Sequence, residues 1–448
     1  MENTMIFRSV KEVRFSKLLS FIIPTYLTSL FNTVYTIVDG IFVSEYVGTN
    51  ALAAINIVYP IVNILTGIAL VFASGGSSIA ALHMGAGEKE EADRSLSSSF
   101  FFSILLGSLI SIIILFNLTS MLSLLGARDA TMRDCQIYAL FWLLGTPIVI
   151  GKELFTYFIR ADGSPSYSFA TALAGGVLNI VLDYLFIHSM NMGIRGAALA
   201  TLIGLAVSFC MGVFYFVRKK KYLRFTLQGL SLRKALQCMV NGMSEFVDQI
   251  AIAVTTIIFN RTALSFAGEN GIAAVSIIMY LQFLAIGIYF GFSMGLSTPL
   301  GYAYGNRQPE ICRKLEAYAY RFLFTAPMII YALTWLLAPL GVSFFVNQGS
   351  SVFSLAVSGM RIYGLGFLFC GFNIFSAIRC MSYGRGHLSG CITFLRSFAL
   401  LIVFLLLLPE KFGLAGLWSA MPAAEFLTLF VSIPLLRKSP RNVIRTEA

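Results

Sequence analysis

Two aspartates stand inside runs apolar enough to cross a bilayer. Asp39 lies on the stretch from Phe15 to Val43, along which Thr25, Ser29, Asn32, Thr36 and Asp39 recur at steps of four, three, four and three. On a helix that spacing puts all five on one side. Asp183 lies in LAGGVLNIVLDYLFI, with Asn179 one turn before it. A carboxylate at the centre of a membrane helix costs roughly 2.5–3.5 kcal/mol on insertion scales, so it is rarely kept without a use. The chemistry open to two such groups is capture and release of a proton or a small cation.

A second polar face lies in NGMSEFVDQ at 241–249, where Asn241, Glu245 and Asp248 fall at steps of four and three. These residues share a side of a helix. They are candidates to line a cleft and meet a cationic substrate; hydration near the membrane surface is the competing reading. Further on, Met279, Tyr280, Gln282, Phe283, Tyr289, Phe290 and Met294 could form an adaptable aromatic–methionine wall, with Tyr280 and Gln282 as candidate substrate contacts. Ordinary packing is the alternative in a chain with 40 Phe and 16 Met. Pro24, inside the first apolar run, removes a helical hydrogen bond and is a candidate hinge.

The rest of the sequence offers no enzyme chemistry. There is no P-loop, GxSxG or HExxH. The seven cysteines form no CxxC, and the three histidines are dispersed, which points to packing residues without a disulfide or a transition-metal site. The chain is therefore expected to be no enzyme and to need no cofactor beyond a coupling ion.

The elements that must position these residues are membrane helices. At 57% hydrophobic, with a mean hydropathy of +0.81, the chain exceeds the composition of soluble domains. A spanning helix needs about 20 apolar residues. Twelve runs qualify: 15–43, 51–82, 97–120, 135–158, 166–188, 196–217, 236–260, 271–300, 315–340, 352–376, 386–408 and 413–436. They are continuous rather than alternating, which argues against a β-barrel. The net charge of +11 clusters at Arg8, Lys11, Arg14 and Lys17, at Arg218–Lys221 and Arg224, and at Arg437, Lys438, Arg441 and Arg445. This is a topology signal that places both termini in the cytoplasm, and it gives no reason to invoke nucleic acid.

The chain also repeats itself. VGTNALAAINI at 47–57 aligns with AGENGIAAVSI at 267–277, an offset of 220 that also pairs Gly67 with Gly287, Gly75 with Gly295, Gly193 with Gly413 and Gly196 with Gly416. An all-α membrane protein of two pseudo-symmetric six-helix lobes follows, residues 1–217 and 235–448, joined by the basic linker 218–234. At the same offset Asp39 meets Phe259, Asn179 meets Ala399, Asp183 meets Val403 and Thr201 meets Met421. The polar character is lost at all four places, which favours a task specific to the first lobe over general helix packing.

Pro24 and VDG at 38–40, NIVLD at 179–183, MGIRGAALAT at 192–201, LGAR at 125–128 and IRADGSPSYS at 159–168 resemble the bacterial branch of the multidrug and toxic compound extrusion (MATE) transporters. With the twelve-helix repeat, the resemblance covers essentially the whole chain. It implies a V-shaped pair of lobes and export of amphipathic, often cationic organic compounds against Na⁺ or H⁺. It also implies a cation site at Asp39, Asn179, Asp183 and Thr201, where Na⁺ would be held if bound, and an acidic position matched by Glu245. In one branch helix ten carries a further aspartate; here 352–376 contains no Asp or Glu.

The expected function is thus cation-coupled antiport by alternating access, in a monomer embedded in the bacterial cytoplasmic membrane, acting on small organic substrates. A related lipid-linked oligosaccharide or polysaccharide flippase is the alternative. It would want a basic cleft, whereas the charges noted within the spans are acidic.

Overall fold

The computed structural model describes residues 12–226 and 228–437. Arg8, Lys11, Lys438, Arg441 and Arg445 of the terminal basic clusters lie outside them. The contacts group the described residues into two units, one of residues 23–246 and one of residues 12–22 with 247–437. Every described element is helical. In hydrocarbon that is the direct way for a segment to satisfy its own backbone groups.

The first unit takes most of α1 (Phe15–Phe42), then α2 (Thr49–Ala86), α3 (Lys89–Phe116), α4 (Leu118–Leu124), α5 (Asp129–Leu144), α6 (Thr146–Ala161), α7 (Pro165–Asp183), α8 (Ile194–Phe214) and α9 (Leu232–Asn241). α5 and α6 are one crossing bent by 55°. Gly145 sits at the bend and Pro147 follows in the first turn of α6. Pro24 lies within a continuous α1, where the Thr28 hydroxyl donates to the Pro24 carbonyl at 2.8 Å. Val58, Ile61 and Leu65 of α2 form a buried core with Leu122, Tyr138, Leu143 and Ala197.

The second unit holds the rest of α10 (Met243–Gly305), with α11 (Pro309–Ser343), α12 (Ser351–Tyr363), α13 (Phe367–Ser382), α14 (Gly386–Thr393) and α15 (Leu400–Arg437). α10 is broken at Gly268 and α15 at Gly413. Eight helices are individually long and apolar enough to span, and the α5–α6 pair makes a ninth. The glycine breaks divide two of them, and α1 supplies the remaining crossing, so twelve crossings are made among the described residues.

The repeat is written in the backbone as well as in the sequence. Gly48 (φ 109°) and Gly268 (φ 60°), Gly193 (φ 58°) and Gly413 (φ 57°), and Gly87 (φ 80°) and Arg307 (φ 52°) each stand 220 residues apart. Positive φ is open to glycine at little cost. The same reversals of chain direction are therefore made at the same places in both halves.

The segment expected to be a linker is docked on the first unit. Asp162, fully buried, accepts the Lys221 and Tyr222 amides at 2.8 Å, the Leu223 amide at 2.8 Å and the Tyr215 hydroxyl at 2.7 Å. Asp93 accepts the Arg224 amide at 2.7 Å, and Ser97 the Thr226 amide at 2.9 Å.

Candidate functional site

In the first unit, α7 and α8 touch backbone to backbone. A Cβ at Gly204 would lie 2.6 Å from the Gly175 carbonyl, and one at Gly175 would lie 2.5 Å from that of Gly204. That closeness lets Asn179, one turn beyond Gly175, reach Thr201, one turn before Gly204. The Asn179 amide nitrogen lies 3.5 Å from the Thr201 hydroxyl, which itself donates to the Ala197 carbonyl at 3.0 Å. Asp183, fully buried, ends α7 one further turn along, and a π-helical turn, Tyr184–Ser189, follows it. Such wide turns recur at functional positions because they re-aim side chains.

The Asp39 carboxylate of α1 lies within electrostatic range of that of Asp183. No donor reaches Asp39 Oδ1, either oxygen of Asp183, or Asn179 Oδ1. A buried oxygen without a donor costs roughly 1–3 kcal/mol, and more if charged. Two buried carboxylates this near each other call for a shared proton or a cation to offset their repulsion. Among the described residues no group of His, Cys, Asp and Glu is suited to a transition metal. The donor set here is oxygen only, which fits a hard monovalent cation or a proton.

A small cavity of about 20 Å³ lies beside this cluster, lined by Asn32, Tyr35, Lys152, Asn179, Thr201 and Ser208 among others. That is room for about one water molecule or a small ion, far less than a drug-sized ligand needs. Of the other residues on the α1 stripe, Thr25 is buried; the side chain of Thr36 lies outside the described residues.

The residues of the second polar face fall into different units. Asn241 and Glu245 belong to the first, where the Asn241 amide donates to the Gly75 carbonyl at 3.3 Å. Glu245 is buried, within electrostatic range of Arg160 and Tyr157. Asp248 belongs to the second, where it accepts the Ser397 hydroxyl at 2.5 Å and lies 3.7 Å from the Arg396 guanidinium. Gln282 accepts the Tyr363 hydroxyl, and Tyr280 stacks on Phe345 with centroids 5.8 Å apart.

Sequence reasoning missed the buried bases. Lys152 pairs with Glu153 at 2.7 Å, Arg379 with Glu316 at 2.5 Å, and Arg396 with Glu425 at 3.0 Å. The spans thus hold buried bases as well as carboxylates, although the carboxylates remain the more numerous. Each of these bases has a carboxylate beside it, so no free basic cleft results from them. The available signal was a single charged residue in an otherwise apolar run, at Arg396 and at Glu425.

The fold is that of a multi-pass membrane protein, and the proteins it matches make it a transporter rather than an enzyme. The MatE family model matches residues 24–185 and 246–407, one match in each half, and the chain belongs to that family of transporters. It is similar to the multidrug export protein MepA of Staphylococcus saprophyticus, 25% identical over 440 residues that cover 96% of this chain and 95% of the relative. Among solved structures it is similar to an outward-facing multidrug resistance MATE family transporter of the MOP superfamily, with a TM-score of 0.88, 25% identity and 96% of each chain covered. A MATE crystal structure in the straight conformation superposes with a TM-score of 0.91 at 24% identity, over 100% of this chain and 99% of that one. As a bacterial-type MatE transporter, the protein is placed in the plasma membrane.

Proposed function

We propose that the protein is a cation-coupled antiporter that exports amphipathic, cationic organic compounds by alternating access. The observation that carries the coupling is the Asp39–Asp183 pair, with three of its four oxygens buried and without a donor. Asp39, Asn179, Asp183 and Thr201 hold Na⁺ or a proton in one conformation and release it in the other. Only a difference in affinity between the two states moves the equilibrium between them. The neutral oxygens of Asn179 and Thr201 favour Na⁺, since a dehydrated ion needs them and a proton does not. Protonation competes at the same carboxylates.

The substrate side is assigned to Asn241, Glu245, Asp248, Tyr280 and Gln282, carboxylates for the cationic group and aromatic or amide surface for the rest. Pro24 is the hinge through which occupancy at Asp39 bends α1. Residues 1–217 and 235–448 act as the two lobes and 218–234 as the cytoplasmic linker, with both termini on that side. The working unit is a monomer, and nucleic acid is no partner. The names of the similar proteins, a multidrug export protein and a multidrug resistance transporter, support export of drug-like compounds.

The deciding experiment is efflux of a cationic dye from proteoliposomes under a Na⁺ gradient and, separately, a pH gradient. Efflux driven by either gradient, and lost in Asp39→Asn, supports the reading. Equal dye movement with and without a gradient would replace it with a passive pore.

A further inference from the structure

The carboxy-terminal unit contains a buried charge cluster for which the family's amino-terminal cation site gives no account. Arg396 lies in a π-helical turn, Phe394–Ala399, whose extra width presents Arg396 and Ser397 together. The Arg396 Nε donates to Glu425 Oε1 at 3.0 Å, and its Nη1 lies 3.7 Å from Asp248 Oδ2. One guanidinium thus serves two carboxylates, and the cluster keeps one unit of negative charge. The two links are unequal. Glu425 is 4% exposed at its side chain and is held further by Asn373, whose Nδ2 donates to Glu425 Oε2 at 2.7 Å. Asp248 is 32% exposed, and its contact with Arg396 exceeds hydrogen-bonding distance.

One acceptor in the cluster is unused. Asn373 is fully buried, its Nδ2 is fixed on Glu425, and its Oδ1 has no donor. That vacant acceptor sits on the residue that also holds Glu425, the firm anchor of a guanidinium that is only loosely linked to Asp248.

We propose that Arg396 is a tethered cation that competes with the transported cation for Asp248. When a cationic group reaches Asp248 from its exposed side, Arg396 gives up its longer link and rests wholly on Glu425. When substrate leaves, Arg396 returns and Asp248 is not left unpaired in the membrane. The device sets a threshold: a ligand must outcompete a guanidinium already in place, which favours organic cations that bring apolar surface over small inorganic ones. This inference rests on the reading of Asp248 as substrate-facing.

The test is binding of ethidium, followed by fluorescence anisotropy, to full-length protein in lipid nanodiscs, with uncharged Nile red as the comparison. Removing the competitor in Arg396→Gln should tighten ethidium binding by about two- to tenfold, the size of one part-exposed charge interaction. Removing its anchor in Glu425→Gln frees Arg396 for Asp248 and should weaken ethidium by a similar factor, although Glu425 does not touch the ligand. Nile red should change in neither variant. Adding Asp248→Asn to Arg396→Gln should abolish the gain. A merely structural ion pair predicts loss in both single variants and for both dyes, and that outcome overturns the proposal. Should Arg396→Gln not yield folded protein, the Glu425→Gln comparison of the two dyes decides alone. Absence of ethidium binding by the wild-type protein overturns both this inference and the substrate reading beneath it; wild-type binding with the wrong signs overturns this inference only.

Discussion

Gly175 and Gly204 pack with their backbones in contact, and the meeting of Asn179 with Thr201 depends on it. A methyl group on Gly204 would stand 2.6 Å from the Gly175 carbonyl and 3.0 Å from the Asn179 Cβ. Backbone cannot yield as a flexible side chain can. Gly204→Ala should therefore push α7 from α8, cost about 1–3 kcal/mol of stability, and weaken ion-dependent efflux more than it weakens dye binding. Thermal unfolding in detergent and paired efflux and binding assays check this.

Asp39→Asn and Asp183→Asn should each abolish gradient-driven efflux while leaving expression largely intact. A neutral amide is cheaper to bury than an unpaired carboxylate, so folding has no reason to suffer. Retained transport by both single variants would show that the pair is not the coupling site.

At alkaline pH, where protons no longer mask the carboxylates, Na⁺ should bind to the purified protein with a site lost in Asp183→Asn. Radioactive sodium uptake onto protein in nanodiscs measures it. No sodium binding there, together with efflux driven by a pH gradient, would make the proton the only coupling ion.

On the proposed reading of Glu245 as the electrostatic partner of cationic substrates, Glu245→Gln should weaken cationic substrates more than neutral ones. Its nearness to Arg160 offers the contrary outcome: equal loss for both classes, with partial recovery of stability when Arg160 is also neutralised, would assign Glu245 to an internal ion pair. Substrate binding constants for both variants separate the two.

Asp162→Ala should release the basic segment. Three backbone amides and the Tyr215 hydroxyl lose their acceptor at once, each worth about 1–3 kcal/mol if left unsatisfied, less whatever water recovers. Limited trypsin digestion should cut at Lys219–Lys221 much faster than in the wild type, with the transmembrane helices still intact.

The twelve crossings were legible in the sequence because length and continuous apolarity are dictated locally by the bilayer. The repeat was legible because glycines, some of them at reversals of chain direction, recur 220 positions apart. Asp39 and Asp183 stood out as carboxylates where water is absent. Arg396 and Glu425 met the same criterion, but 29 residues separate them in sequence, on different helices, and only packing shows that Arg396 links Glu425 to Asp248. The docking of 218–234 was illegible for a related reason: a run of lysines reads as solvated chain, while the bonds that hold it are made by its backbone amides to a distant carboxylate.

Arg307 occupies the left-handed backbone position that Gly87 fills in the first half. A side chain there costs on the order of 1 kcal/mol that glycine does not incur. The two halves therefore differ in conformational strain as well as in polar chemistry, and the first half carries the unstrained alternative in the same polypeptide. Arg307→Gly, at an exposed turn, should relax the second half while leaving transport untouched.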